Sequence, residues 1–304
     1  MSPIHRAAKP RAAGRGANRD GAPHREAKPR LVRRWVPRGA LALVVVTLTA
    51  GCDATTVERL GLRNPLTTQA KLIVNLWQGA WIAALAVGAL VWGAILWSVV
   101  VYRKRSDKIP HQVRYNLPIE ILYTVVPFIM VGVLFYFTAR DENNITSLSA
   151  KPDVIVDVTG FQWSWEFQYP QYPVKNSPAG VTEVGYMWNG ELGPGDNSKT
   201  QLPLLEIPAH ETVRFNLRSN DVMHAFWILP FDFKRDVLPN HPNHFEVFPT
   251  ATLYKGPNTY GRCTELCGLY HSRMLFRIKI VTPAQFRAWI LAEQHKENAS
   301  GGAQ

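Results

Sequence analysis

Leu72 to Tyr102 reads LIVNLWQGAWIAALAVGALVWGAILWSVVVY, without a charged residue and punctuated by Trp77, Trp81, Trp92 and Trp97. An α-helix needs roughly 20 apolar residues to cross a hydrocarbon core of about 30 Å, so this run reads as a membrane span. A second uncharged run, Ile121 to Ala139, is long enough to cross back, and Pro127 within it is tolerable because neighbouring elements re-satisfy a kinked span. Residues 72–140 therefore form a two-helix transmembrane hairpin. Its loop, 103–118, carries Arg103-Lys104-Arg105-Ser106-Asp107-Lys108 and Arg114, and short basic loops stay in the cytoplasm. Residues 52–71 and everything after Arg140 then lie on the outer side.

The charge supports the same division. Of the formal +11 of the 304-residue chain, +9 falls in residues 1–38, where eleven Lys and Arg meet only Asp20 and Glu26. That charge sits on a Pro/Gly/Ala-rich leader and not on a folded face, which argues against nucleic-acid binding. The leader runs into Ala40-Leu41-Ala42-Leu43-Val44-Val45-Val46-Thr47-Leu48-Thr49-Ala50-Gly51-Cys52, too short to span and ending in small residues. A basic flank, an apolar stretch and a small-residue site read as an export signal, with 1–51 removed at Cys52. Ala50-Gly51-Cys52 resembles a bacterial lipobox, with Thr49 where Leu is usual, so Cys52 is a candidate for lipidation. Ordinary cleavage nearby and an uncleaved anchor are the alternatives.

Beyond the hairpin the pattern changes to β. Val154 to Thr159, Thr212 to Leu217 and Leu275 to Val281 are β-branched and partly alternating, and Pro, Gly and Asn clusters separate them. Short strands so punctuated predict an all-β sandwich or Greek-key barrel over 150–283. Residues 171–200 read as an inserted loop. Residues 284–304 comprise a C-terminal helix, starting at Pro283 and running to about Gln294, and a disordered tail.

The outer domain carries Cys263-Thr264-Glu265-Leu266-Cys267-Gly268-Leu269-Tyr270-His271-Ser272-Arg273-Met274, with two thiols, an imidazole and a thioether in twelve residues. These donors suit copper in either oxidation state, as an electron carrier requires. A disulfide between Cys263 and Cys267 is the competing reading outside the cell. The spacing does not fit Cys-x-x-Cys-His haem attachment, and a structural zinc site does not ordinarily recruit methionine. His224, in an apolar run from Met223 to Pro230, would be a core histidine if alone. Beside the loop it is a second imidazole, and two thiolates four residues apart can bridge two copper ions that each take one histidine.

With these residues in order, the chain resembles subunit II of haem-copper cytochrome c oxidases from about Leu72 to Gln294. The resemblance implies a cupredoxin-like barrel holding the binuclear copper centre CuA. It implies that Cys263 and Cys267 bridge both coppers, that His224 and His271 bind one each, that Met274 is a weak ligand, and that Glu265 contributes its backbone carbonyl. The Glu265 side chain would reach a magnesium ion shared with subunit I.

Gly160 to Trp165 matches the family's Gly-x-Gln-Trp-x-Trp motif, which implies that the electron arrives at Trp163; on its own such an aromatic run is more often packing. Glu120 to Thr124 resembles Glu-x-x-Trp-Thr with Tyr123 in place of Trp, which implies that Glu120 lies at the mouth of a proton channel. On its own, Glu120 is a solvated carboxylate favoured by a helix N-terminus. Phe233 to Pro239 resembles a stretch near subunit I, whereas His210, His241 and His244 attract no role.

The function implied is acceptance of electrons from a c-type cytochrome and their delivery to haem in subunit I, where oxygen is reduced to water and protons are pumped. Partners would be subunits I and III, membrane lipid and, since no haem-attachment motif occurs here, a separate cytochrome. The leader, Phe233 to Pro239 and Gly261 to Glu265 resemble the actinobacterial branch, where the donor is typically a membrane-bound cytochrome of a bc complex in a supercomplex. Rival readings are a membrane-anchored copper carrier, a quinol-oxidase subunit that has lost copper, and the copper domain of nitrous oxide reductase. The carrier needs neither the Trp163 motif nor Glu120, the quinol-oxidase subunit should lack the ligands, and the nitrous oxide reductase domain is not built on a membrane hairpin.

Overall fold

The computed structural model describes residues 58–109, 111–175, 177–185, 202–256 and 259–300. The leader, Cys52 and residues 186–200 of the expected insertion lie outside the described residues. Helix α1, Thr68–Val101, starts where Thr67 caps it, the Ala70 N–H donating to Thr67 Oγ1 at 3.0 Å. Helix α2, Leu117–Thr146, is capped by Asn116, has Pro118 in its first turn and contains Pro127. Both are long and apolar enough to cross a membrane, and large apolar side chains such as Leu90, Trp92, Phe128 and Phe135 face outward, as lipid contact demands. Gly79, Ala80 and Ala83 line the crevice where α1 meets Val133, Leu134 and Phe137 of α2.

Helix α2 outlasts the apolar run that announced it. Loss of hydrophobicity after Ala139 marks the end of the lipid-facing surface and not of the helix. Asp141 is buried there and ion-paired to Arg140 at 2.7 Å.

The outer domain consists of two five-stranded sheets. Strands β1 (Val154–Phe161), β2 (Ser164–Tyr169), β3 (Val181–Val184), β5 (Val213–Ser219) and β8 (Asn243–Val247) form one, in the order β3-β2-β1-β5-β8. Strands β4 (Leu204–Pro208), β6 (His224–Ile228), β7 (Phe233–Val237), β9 (Tyr260–Cys263) and β10 (Leu275–Val281) form the other, in the order β4-β10-β9-β6-β7. Inward residues of both sheets make one core, in which Phe226 stacks on Phe276 at 4.9 Å and Trp165 meets both edge-on. This is the expected cupredoxin-like arrangement of a membrane hairpin and an all-β domain.

Two expectations need correction. Within 171–200, Val181–Val184 is a strand, β3, paired antiparallel with β2; four residues after a Pro/Gly cluster are too few for alternation to stand out, but an available sheet edge recruits them. The C-terminal helix, α3, runs from Pro283 to Ser300 and so passes Gln294. Phe286 and Ile290 are buried, and Gln294, Glu297 and Asn298 donate to the Pro173 carbonyl or accept from the Thr182 and Lys175 N–H groups. These contacts hold a polar helical end that its own sequence does not specify.

The β domain is tied to the outer ends of both helices. The Thr68 N–H donates to the Phe248 carbonyl at 3.2 Å, and the Phe248 N–H to the Gln69 side chain at 3.1 Å. After α2, Ser149 donates to buried Glu246 through its N–H at 2.8 Å and its hydroxyl at 3.0 Å. Arg214 pairs with the same carboxylate at 2.6 Å and also donates to the Ser149 carbonyl. Removing one member of such a buried set strands the others' charge, so it acts as a rigid joint.

Where α3 crosses β3, burial and the neighbouring Glu293 and Glu297 push the Glu183 carboxyl up to about 7, against the pull of Lys296 and Arg277. A carboxyl that holds its proton more tightly folded than unfolded stabilises the fold at low pH, and that contribution is lost as pH rises from 4.5 to about 7. Glu183→Gln is therefore expected to raise the stability of the detergent-solubilised chain above pH 7 by about 1 kcal/mol, allowing for partial solvation, and to leave it unchanged below pH 4.5. Thermal unfolding at the two pH values checks this; an equal gain at both would exclude the carboxylate as the cause.

Candidate metal centre

The register of β6 against β9 creates the site. Phe226 pairs with Cys263, and His224, two residues earlier on the same strand face, comes to the end of β9 where the loop begins. His224 Nδ1 lies 3.8 Å from Cys263 Sγ. The loop then turns so that Cys267 Sγ lies 3.8 Å from Cys263 Sγ, 3.5 Å from His271 Nδ1 and 3.8 Å from Met274 Sδ. The Cys263 thiol points at the Glu265 carbonyl, 3.2 Å away. Both cysteines are unbonded and buried, as are His224 and Met274. His224, Cys263 and Cys267 also form the cluster of metal-type donors among the described residues.

Electrostatics shows why this set suits a cation. Burial pushes the Cys263 thiol up, but hydrogen bonds with the His224 ring and with the backbone of Ala225 and Glu265 outweigh it and leave Cys263 lowered. Burial and then the charge on Cys263 push the Cys267 thiol up to about 12. Cys263 is thus the more easily ionised of the pair, and a second negative charge needs positive charge beside it. Two sulfurs, two imidazole nitrogens and a thioether in a dry pocket fit a soft transition metal such as copper.

Asp221 orients the first histidine. Its carboxylate only accepts, so at 2.8 Å it receives the His224 Nε2–H bond and turns Nδ1 toward Cys263. Its other oxygen accepts the Gln162 N–H at 2.6 Å. From the opposite sheet Gly160 sits against the same ring: a Cβ at Gly160 would be 3.1 Å from His224 Cδ2, so any side chain there would press on the imidazole.

Trp163 is half-buried at the rim, edge-on to Tyr270 at 5.0 Å, with its indole N–H donating to the Cys267 carbonyl at 3.1 Å. The structure thus brings together His224, Cys263, Glu265, Cys267, His271, Met274 and Trp163. Glu120 is elsewhere, in the first turn of α2, where its carboxylate accepts the Asn116 N–H at 3.1 Å. Asp221 and Gln162 escaped the sequence reading, although both lie within three residues of ones it singled out. The signal available was the proximity of Asp221 to His224, three residues on, and the position of Gln162 within the aromatic motif.

Comparison with known proteins gives the same family for both halves of the chain. The model for the transmembrane domain of cytochrome c oxidase subunit II matches residues 55–138, and that for its periplasmic domain matches residues 154–281. A relative from Streptomyces avermitilis named for cytochrome c oxidase subunit 2 is 44% identical over 283 residues, covering 85% of this chain and 86% of its own. Cytochrome c oxidase subunit 2 of Mycobacterium tuberculosis is 35% identical over 289 residues, covering 83% and 78%. Among solved structures, the periplasmic domain of subunit II (CoxB) from Bradyrhizobium japonicum is 26% identical, covers 49% of this chain and 99% of its own, and superposes with a TM-score of 0.39. The chain belongs to the cytochrome c oxidase subunit II family in its actinobacterial form, and is a membrane component of a haem-copper oxidoreductase with its β domain outside the cytoplasm.

Proposed function

We propose that this chain accepts electrons from a c-type cytochrome at a binuclear CuA centre and passes them to haem in subunit I, where oxygen reduction drives proton pumping. The observation that carries the reading is the convergence of His224 Nδ1, Cys263 Sγ, Cys267 Sγ and Nδ1 of half-buried His271 beside Met274 Sδ. Cys263 and Cys267 would bridge two coppers, His224 and His271 would bind one each, Met274 would be a weak ligand and Glu265 would offer its carbonyl. When bound, copper supplies a one-electron store.

The chain's own residues supply the rest. The sulfurs provide the negative charge, and the apolar core around them excludes water that would otherwise reorganise with each electron. Trp163 receives the electron at the surface, and its hydrogen bond to the Cys267 carbonyl leads inward. The joint around Glu246 keeps the domain at a set height above the hairpin, which suits delivery to a neighbour embedded in the membrane. On the delivery side, the Glu265 side chain would hold magnesium together with subunit I. Glu120, at the cytoplasmic end of the hairpin, would feed protons to a channel of that subunit.

The remaining assignments belong to the same reading. The leader 1–51 would be removed and Cys52 lipidated, anchoring the outer segment 52–71 to the bacterial cell membrane. The hairpin 72–140, with its loop 103–118, would face lipid and subunits I and III. The 150–283 domain with its 171–200 segment would carry copper, ahead of the 284–304 extension. The actinobacterial resemblance and the lack of a haem-attachment motif in this chain favour a membrane-bound cytochrome of a bc complex, held in a supercomplex, as donor.

The centre is tested by electron paramagnetic resonance of the oxidised protein. A mixed-valence copper pair is expected, and Cys263→Ser should abolish it; a signal from one isolated Cu(II) in the native protein would overturn the reading. Trp163→Gln should slow electron arrival from the donor about tenfold, about 1.4 kcal/mol of barrier, with a binuclear copper signal retained; an unchanged rate in stopped-flow would remove Trp163 from the path. Glu120→Gln should slow proton-coupled turnover severalfold, read by oxygen consumption, with donor-to-copper transfer unaffected. Native turnover at every pH would reject that role.

A further inference from the structure

Two hydrogen-bond donors from adjacent residues meet on one carbonyl in the loop. Gln162 Nε2 lies 2.7 Å and Trp163 Nε1 3.1 Å from the Cys267 oxygen, which has two lone pairs to offer. The next residue, Gly268, has φ +121°, and a Cβ on it would lie 3.1 Å from both donor nitrogens. Only glycine leaves room for both bonds. Gln162 also reaches the opposite ligand loop, because its backbone N–H donates to Asp221, the residue that orients His224. One side chain and its own backbone therefore fasten the aromatic turn to both ligand-bearing segments.

We propose that Gln162 is a positioning residue of the centre: its amide holds the Cys267 carbonyl against the Trp163 indole and lowers the electron density around the adjoining sulfur. The inference rests on the copper reading given above. An N–H dipole aimed at the ligand loop stabilises the state with more negative charge, which is the reduced one, and so raises the reduction potential of a metal held there. It also keeps the indole, the carbonyl and the sulfur in register as one contact chain. Loop anchoring alone predicts neither effect, since an anchor changes metal retention and not potential.

The test uses Gln162→Met and Gln162→Leu in the purified holoenzyme. Gln162 is exposed, so both side chains have room and neither can donate. Expected are a retained binuclear copper signal with altered hyperfine splitting, a lower copper midpoint potential, and donor-to-copper transfer slowed about fivefold, the equivalent of about 1 kcal/mol, at unchanged KM for the donor. Native potential and native rate in both variants would overturn the role, as would loss of copper from both, which would leave Gln162 an anchor only. A native protein without the binuclear signal would defeat the copper reading itself, and this role with it. A native signal with unmoved variants would defeat this role alone.

Discussion

Two sulfurs 3.8 Å apart in the core of a β domain cannot both be thiolates unless positive charge lies beside them. The rest of the outer domain follows from that constraint. The imidazoles of His224 and His271 flank the sulfurs, and the backbone of Ala225 and Glu265 hydrogen-bonds to Cys263. Of the two thiols, Cys263 is lowered, where His224 and the backbone of Ala225 and Glu265 reach it, and Cys267 is raised. The pocket is thus arranged for a charge it does not itself carry, as expected of a metal site whose ligands precede the metal.

Around this pocket the protein is built from fastened layers. Strand β6 carries His224, the turn between β1 and β2 carries Gln162 and Trp163, and the end of β9 with the loop after it carries the sulfurs. Asp221 and the Cys267 carbonyl join these three segments, which come from both sheets. A displacement of any one of them is felt by a ligand. Further down, Glu246 and Arg214 lock the domain to the chain leaving α2, and residues 248–250 lock it to the start of α1. The site is therefore referenced to the hairpin through short direct contacts, buried Glu246 at their centre, and not through a free linker.

The sequence made the membrane hairpin legible because lipid tolerates no charge and few polar groups over a span, and the run from Leu72 to Tyr102 obeys that rule without exception. The loop from Cys263 to Met274 was equally legible, since donors of the right softness crowd into twelve residues. Other features were less so. Strand β3 was hidden by its length and by the Pro/Gly residues before it, and the last turns of α3 by their polarity. Asp221 and Gln162 were hidden because an aspartate or a glutamine on an outer domain is ordinarily solvated, and nearness to a motif does not by itself override that.

What the sequence determined by itself was the identity and order of the parts: two spans, a basic turn between them, an alternating β domain and a set of soft donors. These are local properties, set by composition and spacing along the chain. What only the tertiary structure decided was which donors share a pocket. His224 meets Cys263 across 39 residues, and Gln162 meets Cys267 across 105. Those meetings depend on sheet register, where a slip of one residue would turn His224 to the opposite face. Register is set by the packing of the whole core, and no single segment contains it.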